Sequence, residues 1–214
     1  MLLGRYFDRL FQNEKLQATQ LRIYPMDKNF IETAEVQKLI KIKDSSLKNI
    51  DVIQMEQNLE KNDYISNAEV YKDLNGRMIA EIEQYHPIAR VLGNSSYYID
   101  VNGDKKPLSH HYTEHVVLIF GDLNKENRKE IIDLIKRIDE DEILKNLVSE
   151  IHTGKSVTSL KTVNLSADIR IDIHQNLDRQ LFKLKVINSY LTGKKLEKQY
   201  KNIDLRYEKQ AVCK

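Results

Sequence analysis

The sequence holds a single cysteine, Cys213, and no tryptophan in 214 residues. One thiol cannot close an internal disulfide, so the fold must rest on packing; the compartment stays open, since a reducing cytoplasm and a periplasm fit equally well. No run approaches the ~18 consecutive apolar residues of a membrane-crossing helix, and no secretory signal pattern is present. Neither sign of charge dominates: 34 Lys and Arg stand against 32 Asp and Glu, a net of +2. A binder of phosphates would concentrate basic residues, so no nucleic-acid ligand is expected. There is no Gly-x-Ser-x-Gly elbow and no glycine-rich phosphate loop. Cys213 lies next to the last residue of the sequence, where no shaped pocket would activate its thiol. Repeats and low-complexity segments are absent as well. The expectation is a protein that is not an enzyme and needs no cofactor.

What is present is enough apolar content for ordinary cores, 41% of residues, and 11 tyrosines. The length allows one or two domains. The most informative stretch runs from Met55 to Val91. Val52, Met55 and Leu59 give a short helix one apolar edge, and Asn62-Asp63 ends it. Ala68 and Val70 then alternate with Glu69 and Tyr71, the period of a half-buried strand. Asn75-Gly76 is a strong hairpin signal. Met78, Ala80 and Ile82 alternate on the return. A two-residue loop would set Val70 opposite Glu81. A three-residue loop, Leu74 to Gly76 with Gly76 at positive φ, sets Val70 opposite Ala80 and Ala68 opposite Ile82. The second is preferred, because a one-residue slip moves a whole apolar face into water. Pro87 lacks an N–H and marks a strand end or an edge.

This stretch resembles the POTRA module of the FtsQ/DivIB family of bacterial cell-division proteins. The resemblance rests on Tyr64-Ile65, Ala68-Glu69-Val70, the turn at Asn75-Gly76, and Ile82-Glu83-Gln84 ahead of Pro87-Ile88-Ala89-Arg90-Val91. Tyr98-Ile99-Asp100 with Gly103, then Pro107-Leu108-Ser109, is similar to the start of that family's second domain. Ile203 to Tyr207 is similar to its terminal strand. The fold expected is therefore α+β: a β-α-α-β-β POTRA domain over residues 21–92, then a mainly antiparallel β domain with two packed helices over residues 93–214. Residues 1–20 are a lead-in, where Leu3, Tyr6, Phe7, Leu10 and Phe11 follow helical spacing. The family normally places a short cytoplasmic tail and one membrane helix before its POTRA module. Met1 to Phe11 is too short for that helix and carries Arg5, Asp8 and Arg9, so the chain is read as the extracytoplasmic part.

Along the chain, Leu21 to Tyr24 reads as a strand, Thr33 as a helix N-cap, and Val36, Leu39 and Ile40 as an apolar helical edge. Gly93 to Ser96 is a linker. In the second domain Tyr97 to Val101 is a strand. His115 to Phe120 is a continuous apolar run that suggests a strand buried on both faces. Asn124 to Val148 is helical in two stripes, interrupted by Asp139-Glu140-Asp141-Glu142. Strands follow at Ser149–His152, Val157–Val163 and Asp168–Ile173. Arg179 to Leu191 is a helix with Gly193 as its C-cap, and Asn202 to Val212 closes the chain as a strand.

Three groups of residues invite a functional reading. His110, His111 and His115 could suggest a metal-dependent enzyme, but i and i+4 stand ~13 Å apart in extended chain, so surface histidines are expected. The acidic run Asp139 to Glu142 lacks the spacing of a calcium loop and reads as a solvated break between helices. The terminal strand is the third. A last strand at a sheet edge exposes N–H and C=O groups that can accept a strand from a partner. The resemblance makes this the docking site of FtsB, with FtsL alongside, and puts the contact on Arg206 and Tyr207, then Lys209, Ala211 and Val212. It also implies a second contact surface on the POTRA return strand, where Glu81, Glu83 and Tyr85 share one face; His86 is given no role. The function implied is a division scaffold at the septum, on the periplasmic side of the inner membrane. The alternative is a POTRA-bearing binding module in polypeptide transport or envelope assembly.

Overall fold

The structure, a computed structural model, describes residues 17–24, 29–40, 51–73, 77–93, 95–121, 123–124, 127–154 and 157–214. The helical spacing of the lead-in and the backbone of Gly76 lie outside these residues. By internal packing the chain divides into two units. The first comprises Met1–Tyr85 with Ser109–Glu114, and the second His86–Leu108 with His115–Lys214.

In the first unit the order is β1 (Gln17–Tyr24), α1 (Thr33–Leu39), α2 (Val52–Glu60), β2 (Ile65–Lys72) and β3 (Arg77–Gln84). This is the expected β-α-α-β-β sequence. The three strands form one sheet in the order β1-β3-β2. The hairpin register is the one chosen on burial grounds: Val70 faces Ala80 and Ala68 faces Ile82. Those four side chains join Val36, Met55 and Leu59 in a single core. The helix α2 begins where Asp51 accepts a bond from Gln54 N at 3.0 Å, a side-chain cap for an otherwise unpaired N–H. The first helix differs from expectation. Its N-cap is Glu32, without a side-chain cap bond, and Thr33 is already helical.

A buried glutamine bonds the backbone just ahead of that N-cap. Gln84 is 5% exposed, and its Oε1 accepts from Phe30 N at 2.7 Å and from Ile31 N at 3.3 Å. Phe30 in turn packs on Tyr85 and Tyr112, with ring centroids 4.6 and 5.0 Å away. Of the three histidines, His110 and His111 belong to this same unit and His115 to the second. Ser109 Oγ donates to Phe30 O at 2.6 Å, and His111 lies 3.2 Å from Glu32 and 4.0 Å from Glu35. A short stretch expected in the second domain thus packs in the first, a long-range return that local sequence pattern does not encode.

The second unit holds one nine-stranded sheet. Its strands are β4 (Pro87–Leu92), β5 (Tyr97–Asp100), β6 (Lys105–Lys106), β7 (Val117–Phe120), β8 (Val148–Thr153), β9 (Thr158–Thr162), β10 (Asp168–Ile171), β11 (Asn202–Asp204) and β12 (Val212–Cys213). The order across the sheet is β12-β11-β10-β9-β8-β7-β4-β5-β6. Five of its eight pairings are antiparallel; β4·β7, β7·β8 and β10·β11 are parallel. Pro87–Leu92, expected to close the first module, is therefore a strand of this sheet, and Pro87 stands at its start. The run ending in Phe120 is shorter than expected and not buried on both faces. Val117 and Ile119 are buried, while Leu118 and Phe120 are half-buried, Phe120 stacking on His152 at 4.7 Å.

Three helices complete the unit: α3 (Arg128–Glu140), α4 (Glu142–Leu147) and α5 (Leu177–Gly193). The expected long helix is two, because Asp141 turns to extended backbone and caps α4, accepting from Ile143 N and Leu144 N. The acidic run is the break it was read to be. Helices α3, α4 and α5 bury leucine and isoleucine in one core with Ile119, Ile151, Leu160 and Ile169. At its C-terminus α5 also departs from expectation. Gly193 is the last helical residue, and the left-handed position falls on Lys195 at φ 60. No helix among the described residues is long and apolar enough to cross a membrane.

Candidate binding edge of the second sheet

The last element of the chain is a return, not a single strand. Ile203 packs fully buried beside Ile169 of β10, and β11 ends at Asp204. Leu205 then turns inward and is also buried, its N–H bonded to Arg170 O at 3.0 Å. Ile203 and Leu205 thus keep the two-residue alternation of a strand one residue beyond the end of β11. The chain swings through residues 206–211 and comes back antiparallel as β12, with Ile203 opposite Cys213 and Asp204 opposite Val212. The expected Asn202 to Val212 strand is therefore a pair of short strands joined by a loop.

This changes which strand is at the edge. The outer side of β11 is covered by the chain's own residues: Asn202 N donates to Lys214 O at 3.0 Å and Lys214 N donates to Asn202 O at 2.9 Å. The outermost strand is β12. Because Asn202 and Lys214 exchange both bonds, the next pair, Ile203 and Cys213, is a non-hydrogen-bonded one, and the backbone N–H and C=O of Cys213 turn to the outer edge. Ala211 and Cys213 pack against the core. Burial pushes the Cys213 thiol above its ordinary pKa.

The joining loop is held at three points. Arg206 is fixed by Asp204 through Nε at 2.9 Å and Nη2 at 2.6 Å. That two-pronged bond holds the Asp204 carboxyl below its usual range, and the carboxylate raises the guanidinium in turn. Lys183 of α5 donates to Tyr207 O at 2.7 Å and to Leu205 O. Arg179 of α5 meets Glu208 at 3.1 Å. With its backbone pinned, Tyr207 is 51% exposed. Lys209 is exposed, and Val212 is half-buried. Arg206, Tyr207, Lys209, Ala211 and Val212 thus fall on one loop and the edge strand it leads into. Sequence pattern could not show the pinning, since Lys183 lies 24 residues from Tyr207.

The second expected surface is placed differently. β3 is the central strand of its sheet, so it has no free edge. Glu81 is occupied by Arg22 at 2.7 Å and by the Tyr71 hydroxyl at 3.0 Å. Glu83 is exposed. Tyr85 is 2% exposed and stacks near Tyr64 at 6.2 Å. The alternation that aligned it with Glu83 ends at Gln84, so Tyr85 is a core residue and not a surface one.

Among the described residues no group of three or more His, Cys, Asp or Glu side chains could hold a metal ion.

Comparison with known proteins gives two family matches. A family model described as FtsQ/DivIB, C-terminal related, matches residues 86–214, and one described as a POTRA-like domain matches residues 24–83. The two matches meet where the packing units divide, between Tyr85 and His86. Among solved structures, the major extracytoplasmic domain of the bacterial cell division protein DivIB from Geobacillus stearothermophilus, in its trans isomer, is 17% identical. That match covers 51% of this chain and 96% of the other, with a TM-score of 0.36. No curated protein matches.

Proposed function

The chain belongs to the FtsQ/DivIB family, and from that premise we propose that it is a non-catalytic cell-division scaffold that captures an FtsB-type partner, with FtsL, by strand addition at β12. In this reading the protein works on the periplasmic side of the inner membrane at the septum, where it links early and late division proteins. The observation that carries the reading is the position of β12 at the end of a nine-stranded sheet, with outward backbone groups at Cys213 and the pinned, exposed Tyr207 on the loop that leads into it.

The chemistry fits such a role. Main-chain bonds to an added strand give affinity, and neighbouring side chains select the partner. Tyrosine and arginine supply large contact area and directed hydrogen bonds, the residue types enriched at interface hot spots. Arg206 is presented in a fixed orientation by Asp204, so little side-chain entropy is left to lose on binding.

The test is titration of the soluble chain with the soluble region of the FtsB-type protein of the same bacterium, with and without the FtsL-type partner. Saturable binding that Tyr207→Ala weakens by about 30-fold, ~2 kcal/mol, supports both role and site. Binding indifferent to Tyr207→Ala keeps the role and moves the site. Absence of binding at micromolar concentration, even with the FtsL-type protein present, removes the role. Broad weak binding of unrelated peptides would then favour a part in envelope assembly.

A further inference from the structure

Helix α5 is apolar on two opposite sides. One side carries Leu177, Leu181, Leu184 and Leu191 into the core. The other carries Phe182, Val186 and Tyr190, which are 62%, 50% and 60% exposed. These three recur at i, i+4 and i+8. At 100° per residue they span about 80° of the helix surface, and their centre lies roughly 175° from the centre of the buried side. The neighbouring helix α3 shows what a solvated outer face looks like in the same unit: its exposed positions are Lys129, Asp133 and Glu140. Nor does helix propensity explain the stripe, because β-branched and aromatic residues are poorer helix formers than the Lys, Glu or Gln usual at such positions.

The charge around the stripe has one sign. From Leu177 to the last residue there are ten Lys and Arg against four Asp and Glu, whereas the whole sequence has 34 against 32. On α5 itself Arg179 falls within the arc of the stripe and Lys183 on one flank, the side on which Lys194, the residue after the helix, also lies. The only acidic residue of the helix, Asp178, is held by Arg137. Arg179 is matched by Glu208 and Lys185 by Asp141. The Lys183 ammonium is bonded to carbonyl oxygens rather than to a carboxylate, and Lys194 and Lys195 stand exposed at the helix end. Ser189 on the opposite flank and Gly193 within the arc are small and exposed. A Cβ at Gly193 would meet nothing within 4 Å.

We propose that the Phe182–Val186–Tyr190 face of α5 is a docking surface for an amphipathic α-helix of another protein, with carboxylates along the side that meets Lys183 and Lys194. A single i, i+4, i+8 ridge beside a shallow row of small residues is the relief into which another helix packs. It is about 12 Å long, the length of two helical turns. The arc is narrow for a bilayer, which takes a broad apolar face. A second copy of this chain is disfavoured because an antiparallel two-fold pairing would set each basic flank against its own counterpart. The apolar stripe lies on α5 and not on β12, although Lys183 on its flank also holds the Tyr207 loop, and it does not depend on the strand-addition reading.

The experiment titrates the full chain with two designed helical peptides that share one leucine stripe. One has glutamates on its flanks and the other lysines. The glutamate peptide should bind at least 10-fold tighter than the lysine peptide, and its affinity should fall as salt rises. Val186→Arg, which alters an exposed position, should reduce that binding at least 10-fold with the melting temperature unchanged, and Lys194→Glu should narrow the gap between the peptides. Equal affinity for both peptides overturns the proposal, as does binding insensitive to Val186→Arg. It is also overturned by concentration-dependent dimers that Val186→Arg dissolves, or by stripe-dependent binding to phosphatidylglycerol vesicles with none to the glutamate peptide. Because neither peptide is a division protein, failure here leaves the FtsB-type titration undecided, and the reverse holds too.

Discussion

Asp204 and Arg206 lie two residues apart and on the same side of the turn that follows β11, joined by two bonds of 2.9 and 2.6 Å. A third bond of 3.2 Å runs from Arg206 N to the same carboxylate. An acidic residue at the end of a strand thereby fixes both the path of the loop and the orientation of the guanidinium that the loop presents.

The pH dependence of this pair has a definite sign. The Asp204 carboxyl is held below its ordinary value, by the Arg206 bond first. A depressed carboxylate stabilises the folded state above the unfolded-state pKa, and that stabilisation is lost as pH falls through the folded-state pKa. Asp204→Asn should therefore be less stable than the parent at pH 7, and the gap should close towards pH 2. Urea titrations at both pH values check this. A constant gap would show that Asp204 acts through shape and not through charge.

Gly193 and Lys195 invert the usual helix ending, since the lysine and not the glycine takes the left-handed backbone, at φ 60. Lys195→Gly should stabilise the chain by about 0.5–1 kcal/mol, because glycine meets no Cβ penalty there. Gly193→Ala should also stabilise, by about 0.5 kcal/mol, since it lies in the helix and its Cβ would meet open space. Thermal melts of the two variants separate this ending from one in which Gly193 is the cap, where alanine would destabilise.

The sequence pattern carried far in some places and stopped in others for physical reasons. Burial alone selected the hairpin register of Val70 with Ala80, because a two-period strand has only one phase that hides its apolar face. The Asp139–Glu142 break was legible because carboxylates favour a helix start. Tyr85 was misplaced because alternation was extended one residue beyond the last paired position. The return of Ser109–Glu114 to the first unit and the fold-back of β12 depend on contacts far apart in sequence, and no local period signals them. The α5 stripe was missed because Phe182, Val186 and Tyr190 could be read as core until the opposite side was seen to be buried.

Gln84 is the one side chain that supplies both acceptor bonds to Phe30 N and Ile31 N ahead of α1. Gln84→Leu keeps the volume and removes the acceptor. Two N–H groups in a buried setting would then lose their partner, at about 1–3 kcal/mol each. The expected loss in a urea titration is ~2 kcal/mol or more. A loss below ~0.5 kcal/mol would mean that water replaces the amide and that the start of α1 is set by other contacts.

Cys213 offers a direct separation of edge binding from fold stability. Its N–H faces away from β11, so it makes no bond in the β11–β12 ladder, whose bonds run through Asn202 and Lys214. A proline there removes one outward donor and nothing from the inner ladder, and proline is tolerated on the free side of an edge strand. Cys213→Pro should therefore change stability by less than about 1 kcal/mol while weakening the FtsB-type partner at least 10-fold, since an added strand would lose a central main-chain bond. The thiol supplies a control in the parent chain. Burial holds it protonated beyond the ordinary thiol range, and alkylation requires the thiolate. Iodoacetamide at pH 8 should thus react more slowly with the folded chain than with the chain in urea, and more slowly again once a partner strand covers β12. Unchanged partner affinity in Cys213→Pro, with a stable fold, would place the partner on the Tyr207 loop alone and take strand addition out of the mechanism.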